Sequence, residues 1–119
     1  MIMMDRKKEL KQQYKQMKHP MGIFIIRSKL KNKCYLQTAQ DLRGVMNGAL
    51  VRLNSGSHPF LELQREWTEL GADNFAMEIL EQLEYDDAKT DYTDDLELLQ
   101  MIWEEKLAKE NVEFYEKRI

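Results

Sequence analysis

The chain has 119 residues, 43% of them apolar and 33% charged, with a formal net charge of −3. That length suits one domain able to bury its own core, and no apolar run approaches the roughly 18 residues of a membrane span. A single cysteine, Cys34, excludes an internal disulfide. Met1 to Asp5 lead into charged sequence and not into an apolar leader core, so a reducing, cytoplasmic setting is expected.

Charge is unevenly distributed. Residues 1–53 carry twelve Lys and Arg against three acids, and residues 54–119 carry six against eighteen. Such blocks steer an anionic partner toward the basic half, or pair between two copies of the chain. The plainer reading is that the halves lie together and screen each other.

In chain order, Leu10, Tyr14 and Met17 recur at helical spacing among basic residues, which predicts a helix over 3–18. Pro20 stops it, because the residue before a proline is pushed out of the α region. Residues 22–27, Gly-Ile-Phe-Ile-Ile-Arg, are apolar on both faces, as in a central strand. The polar stretch Ser28 to Asn32 suits a hairpin loop, and 33–38 reads as the second strand.

Leu42, Val45, Met46, Ala49, Leu50 and Leu53 predict a helix over 41–53, with Asp41 as N-cap and Gly56 as terminator. Gly44 and Gly48 lie inside it on one face, each costing about 1 kcal/mol relative to alanine. A second helix is expected over 59–70, with Pro59 in its first turn and Gly71 as its cap. Residues 74–83 fit two periods: Phe75, Met77 and Ile79 alternate, while Ala76, Ile79, Leu80 and Leu83 fit a helix. An acidic turn then precedes a helix from about Asp94 to Ala108, with Leu96, Leu99, Trp103 and Leu107 as its stripe. The organisation predicted is a basic N-terminal helix over 1–20, a module over 21–110 and a tail over 111–119.

Gly22-Ile23-Phe24 on the first strand and Tyr35-Leu36-Gln37 on the second stand in the order of two tripeptides, followed by Asn54-Ser55-Gly56-Ser57-His58-Pro59 and Gln64-Arg65-Glu66-Trp67. The ordered set resembles the GIY-YIG nuclease superfamily. The resemblance implies an α+β fold, a small three-stranded antiparallel sheet flanked by helices, with the N-terminal helix as an addition, and it favours a strand over 74–83. It also implies a divalent-metal-dependent endonuclease using Mg²⁺ or Mn²⁺, in which two tyrosines, an arginine and a metal-holding glutamate cut a phosphodiester.

Each of those positions can be checked on this chain. The first tyrosine corresponds to Phe24, which has the ring without the hydroxyl. The second is retained as Tyr35, and Gln37 replaces the glycine beyond it. The arginine position falls on Val45, with Arg43 two residues away as the candidate substitute. The glutamate position falls on Gln100, a weaker ligand for a hard cation, with Glu97 and Glu104 as nearby candidates. With only His19, His58 and Cys34, no zinc-type cluster exists. Taken without the resemblance, Tyr35 is a strand aromatic, His58 a capping or surface residue, and Trp67 and Trp103 core residues.

The reading that follows is a degenerate nuclease-like domain that binds DNA or another nucleic acid through its basic half, with Lys29, Lys31, Lys33 and Arg43 on the phosphates. The alternatives are an active endonuclease rewired through Tyr35, Arg43 and Glu97 or Glu104, and a regulatory scaffold that uses opposite charge blocks for pairing, including homo-oligomer formation.

Overall fold

The computed structural model describes residues 19–118. The helix expected over 3–18 lies outside the described residues. The chain forms β1 (Met21–Ser28), β2 (Lys33–Ala39), α1 (Leu42–Ser55), α2 (Leu61–Leu70), one 3-10 turn (Ala72–Asn74), β3 (Phe75–Leu83), α3 (Thr93–Lys109) and β4 (Glu113–Phe114).

Strand β1 is apolar on both faces because it is central and covered on both sides. It pairs antiparallel with β2 through the hairpin, Ile25 opposite Leu36, and antiparallel with β3 on its other edge. Gly22 is required by that second pairing: a β-carbon there would run into the Glu81 carbonyl oxygen. The sheet order is β3-β1-β2-β4. The expected three antiparallel strands are present, and a fourth makes the sheet mixed. Its source is the tail, which turns at Asn111 (φ 62°) and lays Glu113 and Phe114 parallel to Lys33 and Cys34. Tyr115 N–H then donates to the Cys34 carbonyl at 2.9 Å, and Leu61 N–H donates to the Lys117 carbonyl at 3.0 Å.

Alternation along the strands divides the core into two layers. Phe24, Ile26 and Tyr35 face α1 and α2, packing with Leu42, Leu53, Leu63, Trp67, Phe75 and Tyr115. Ile23, Ile25, Cys34 and Leu36 face α3, packing with Leu99 and Leu107. The N-cap of α1 forms as expected, with the Asp41 carboxylate accepting Gly44 N–H at 3.1 Å. Gly56 closes the helix in the left-handed conformation (φ 80°) that a β-carbon would oppose.

Helix α2 starts at Leu61, two residues later than the position of Pro59 suggests. Local hydrogen bonds hold the preceding segment open. His58 N–H donates to Gln64 Oε1 at 2.9 Å, and Phe60 N–H donates to His58 Nδ1 at 3.1 Å. Gln64 is buried and also donates to the Leu53 carbonyl at 3.0 Å, tying α1 to α2.

Candidate functional site

A cleft of about 370 Å³ opens beside the second strand. Its floor is Tyr35 and Gln37 of β2. One wall is the face of α1 carrying Gly44, Val45, Gly48, Ala49 and Arg52. His58 and Pro59, from the segment between α1 and α2, close the third side.

Tyr35 is held edge-on among rings, 5.3 Å from His58, 4.7 Å from Phe60 and 6.4 Å from Phe24. Its hydroxyl donates to Gln37 Oε1 at 2.7 Å. Burial pushes the phenol up to about 12, against the opposing pull of the Arg52 charge. At neutral pH it is therefore a hydrogen-bond donor and not a base.

His58 is nearly inaccessible at 4% exposure. Burial, then the neighbouring Arg52 charge, holds its pKa below the usual imidazole value, so the neutral form prevails at neutral pH. Because Nδ1 accepts from Phe60 N–H, the ring proton sits on Nε2. This histidine is neither a surface residue nor the helix cap: it is buried and accepts the N–H of Phe60, the residue at the N-cap position of α2.

Arg52 is exposed in the last turn of α1, and its side chain makes no ion pair among the described residues. Sequence reasoning did not single it out. The available signal was its spacing: Arg52 follows Val45 by seven residues, two turns along the same helix face. Gln37, noted only as an intruder at a glycine position, also lines the cleft.

The other candidate residues are distributed differently. Phe24 is fully buried and belongs to the core, outside the cleft lining. Arg43 is exposed and lies outside the lining as well. Val45 lines the cleft and also packs against the core, as its place on the apolar stripe indicates.

Gln100, Glu97 and Glu104 belong to α3, on the opposite face of the sheet from Tyr35. Gln100 Nε2 donates to Glu104 Oε1 at 3.0 Å and reaches the Leu36 carbonyl at 3.5 Å; Glu97 is exposed. Mg²⁺ or Mn²⁺ requires several convergent oxygen ligands, with carboxylates for charge. Here a neutral amide is already committed to a carboxylate, and among the described residues no group of three or more His, Cys, Asp or Glu is arranged to hold an ion. These residues do not fit a divalent cation.

Of the basic residues assigned to phosphate contact, Lys31 Nζ lies 2.9 Å from Glu66 Oε1, and Lys33 Nζ lies 3.0 Å from Glu62 Oε2. Arg27 likewise pairs with Glu78 at 3.4 Å. Cations of the first half thus meet acids of the second within the chain, while Lys29 and Arg43 remain exposed. Among the described residues, no helix is long and apolar enough to cross a membrane.

A hairpin carrying the two tripeptides, two helices on one of its faces and a third on the other define the class: the fold resembles that of the GIY-YIG nuclease catalytic domain. Two solved structures show the similarity. The catalytic domain of the homing endonuclease I-TevI superposes with a TM-score of 0.65 at 26% identity, over 83% of this chain and 97% of that one. A single-residue mutant of the intron endonuclease I-TevI catalytic domain gives 0.63 at 26% identity, over 79% and 90%. No family model matches the sequence, and no curated protein matches it.

Proposed function

We propose that the domain binds nucleic acid through the β2–α1 cleft and does not cut it. The solved domains it is similar to are catalytic domains of endonucleases, which brings nucleic acid forward as the ligand class. The observation that carries the absence of cleavage is the cleft lining itself. It contains no carboxylate, and Val45 occupies the place where the family likeness implies a guanidinium.

Phosphodiester hydrolysis needs a base for the attacking water and compensation for charge on the leaving oxygen. Tyr35 is a phenol whose proton is donated to Gln37, and His58 Nδ1 is occupied by a backbone N–H. Neither takes a proton from water in this arrangement. What remains is recognition. The Arg52 guanidinium, the His58 Nε2–H and the Gln37 amide are donors around one opening, and donors of this kind receive phosphate oxygens.

Fluorescence anisotropy with labelled single-stranded and duplex DNA across a salt series tests binding, beside plasmid and branched-DNA cleavage assays in Mg²⁺ or Mn²⁺. The expected result is binding that weakens with salt and substrate left intact. Reproducible cutting abolished by Tyr35→Phe overturns the non-cleaving reading. Absence of salt-sensitive binding at low ionic strength overturns the nucleic-acid reading in favour of the scaffold.

A further inference from the structure

Helix α1 contains two internal glycines, and only one has a structural reason to be there. At Gly44 a β-carbon would collide with the Asp41 carboxylate that caps the helix. At Gly48 a β-carbon would meet nothing within 4 Å. Gly48 is not at positive φ either. A glycine in a helix interior lowers stability, and here neither packing nor backbone geometry requires it. What the missing side chain leaves open is the cleft.

One turn further along the same face stands Arg52. Arg27, Lys31 and Lys33 are each matched to a glutamate, whereas Arg52 has no ion pair among the described residues. Arg52 lines the same cleft as Tyr35 and His58, and its charge acts on both. No carboxylate lines the opening to compete for that charge. In the same cleft stand His58 and the Gln37 amide, whose nitrogen has no acceptor among the described residues.

We infer that Gly48 and Arg52 make the α1 wall of this cleft the seat of a single phosphate group in a nucleic-acid backbone. Gly48 supplies the room, Arg52 the charge, and the neutral donors of His58 and Gln37 the orientation. This deepens the nucleic-acid reading above and rests on it. It also moves the phosphate-binding cation from Val45, where the family likeness implies an arginine, to a residue two turns away.

NMR titrations of isotope-labelled protein with a short single-stranded oligonucleotide and with inorganic phosphate, at low ionic strength, test the assignment. Wild type is compared with Gly48→Leu, Arg52→Gln and Arg43→Gln. Shifts are expected to centre on Gly48, Arg52 and His58 for both ligands, with the oligonucleotide binding more tightly than free phosphate. Arg52→Gln and Gly48→Leu are expected to weaken oligonucleotide binding by about tenfold or more, the scale of one charge-assisted hydrogen bond. Arg43→Gln, an equal loss of charge outside the cleft, is expected to have much the smaller effect.

Leucine is the better helix former, so the melting temperature of Gly48→Leu should match or exceed wild type, which separates a filled cleft from a damaged fold. Arg52→Gln adds no bulk and tests the charge independently. The assignment is overturned if shifts map elsewhere, if both cleft variants bind as wild type does, or if Arg43→Gln matters as much as Arg52→Gln. Should the cleft variants still bind DNA with unchanged salt dependence, the phosphate seat falls and the nucleic-acid reading stands. Should wild type bind neither ligand nor longer DNA, both fall.

Discussion

The Tyr35 hydroxyl donates to Gln37 Oε1 at 2.7 Å, two residues away on the same face of one strand. The side chain that replaces a glycine in the second tripeptide therefore holds the proton of the tyrosine that the first replacement left alone. On the non-cleaving reading, releasing it is not enough for cutting, because Val45 and Gln100 are unchanged by that substitution. Gln37→Gly is expected to leave plasmid DNA uncut in Mg²⁺ or Mn²⁺, and to cost about 1 kcal/mol of stability from glycine in a strand. Denaturant unfolding beside a cleavage gel checks both parts.

Titration separates the two ends of the pH range. His58 is held below its ordinary 6.5 by burial and by Arg52, so between that value and its folded-state pKa the unfolded chain binds more protons. Stability is then fully present above pH 6.5 and declines as pH falls through this window. His58→Gln should flatten that acidic limb.

At the alkaline end the sign reverses. Burial raises Tyr35 and Tyr115 from 10.0 to about 12. Their contribution is present below pH 10 and lost as pH rises toward 12. Phenolate absorbance followed against pH should show these two tyrosines ionising late, together with or after loss of the fold.

Much of the fold is legible in the sequence because single-element patterns determine it. The apolar run of β1, the Asp41 cap and the Gly56 terminator each need only local chemistry. Residues 74–83 fit two periods for a physical reason. The β1–β3 register shifts between Ile23 and Phe24, passing from Glu81 to Ile79 and leaving an extra residue at Leu80. Phe75 and Met77 thus pack on the α1–α2 side, while Leu80 and Leu83 pack toward α3. The bulge inserts a three-residue step into a two-residue alternation, which imitates a helix. Two-residue β4 leaves no pattern at all, since its position depends on the turn at Asn111 and on a strand eighty residues earlier. The site divides along the same line. Tyr35 is legible by residue type, whereas Arg52 enters the cleft only once α1 is docked on β2.

Phe24 tests whether the lost hydroxyl is recoverable. The ring is fully buried among Ile26, Tyr35 and Leu42 and lies outside the cleft lining. Phe24→Tyr would place a hydroxyl in that layer without an evident partner, a cost of about 1–3 kcal/mol. The expected outcome is a lower melting temperature and no cleavage. A stability equal to wild type with new Mg²⁺-dependent cutting would show instead that the added hydroxyl reaches the cleft and completes a working site.

Lys31 and Glu66 decide whether the hairpin loop serves binding or folding. Glu66 is 1% exposed, an unusual position for a carboxylate, and it sits beside the loop lysines and the Tyr115 hydroxyl. Lys31 Nζ approaches one oxygen at 2.9 Å, and Lys33 Nζ lies 4.0 Å from the other. Removing a partner strands a buried charge, which in a fully buried pair costs about 3–5 kcal/mol. Lys31 is half exposed, so water recovers part of that, and Lys31→Ala is expected to cost about 1–2 kcal/mol. Glu66→Gln should rescue it, because the charge that lost its partner is gone; a double-mutant cycle by chemical denaturation reads this coupling. The same Lys31→Ala protein should bind DNA nearly as wild type does. A large loss of DNA affinity with unchanged stability would return the loop lysines to phosphate contact.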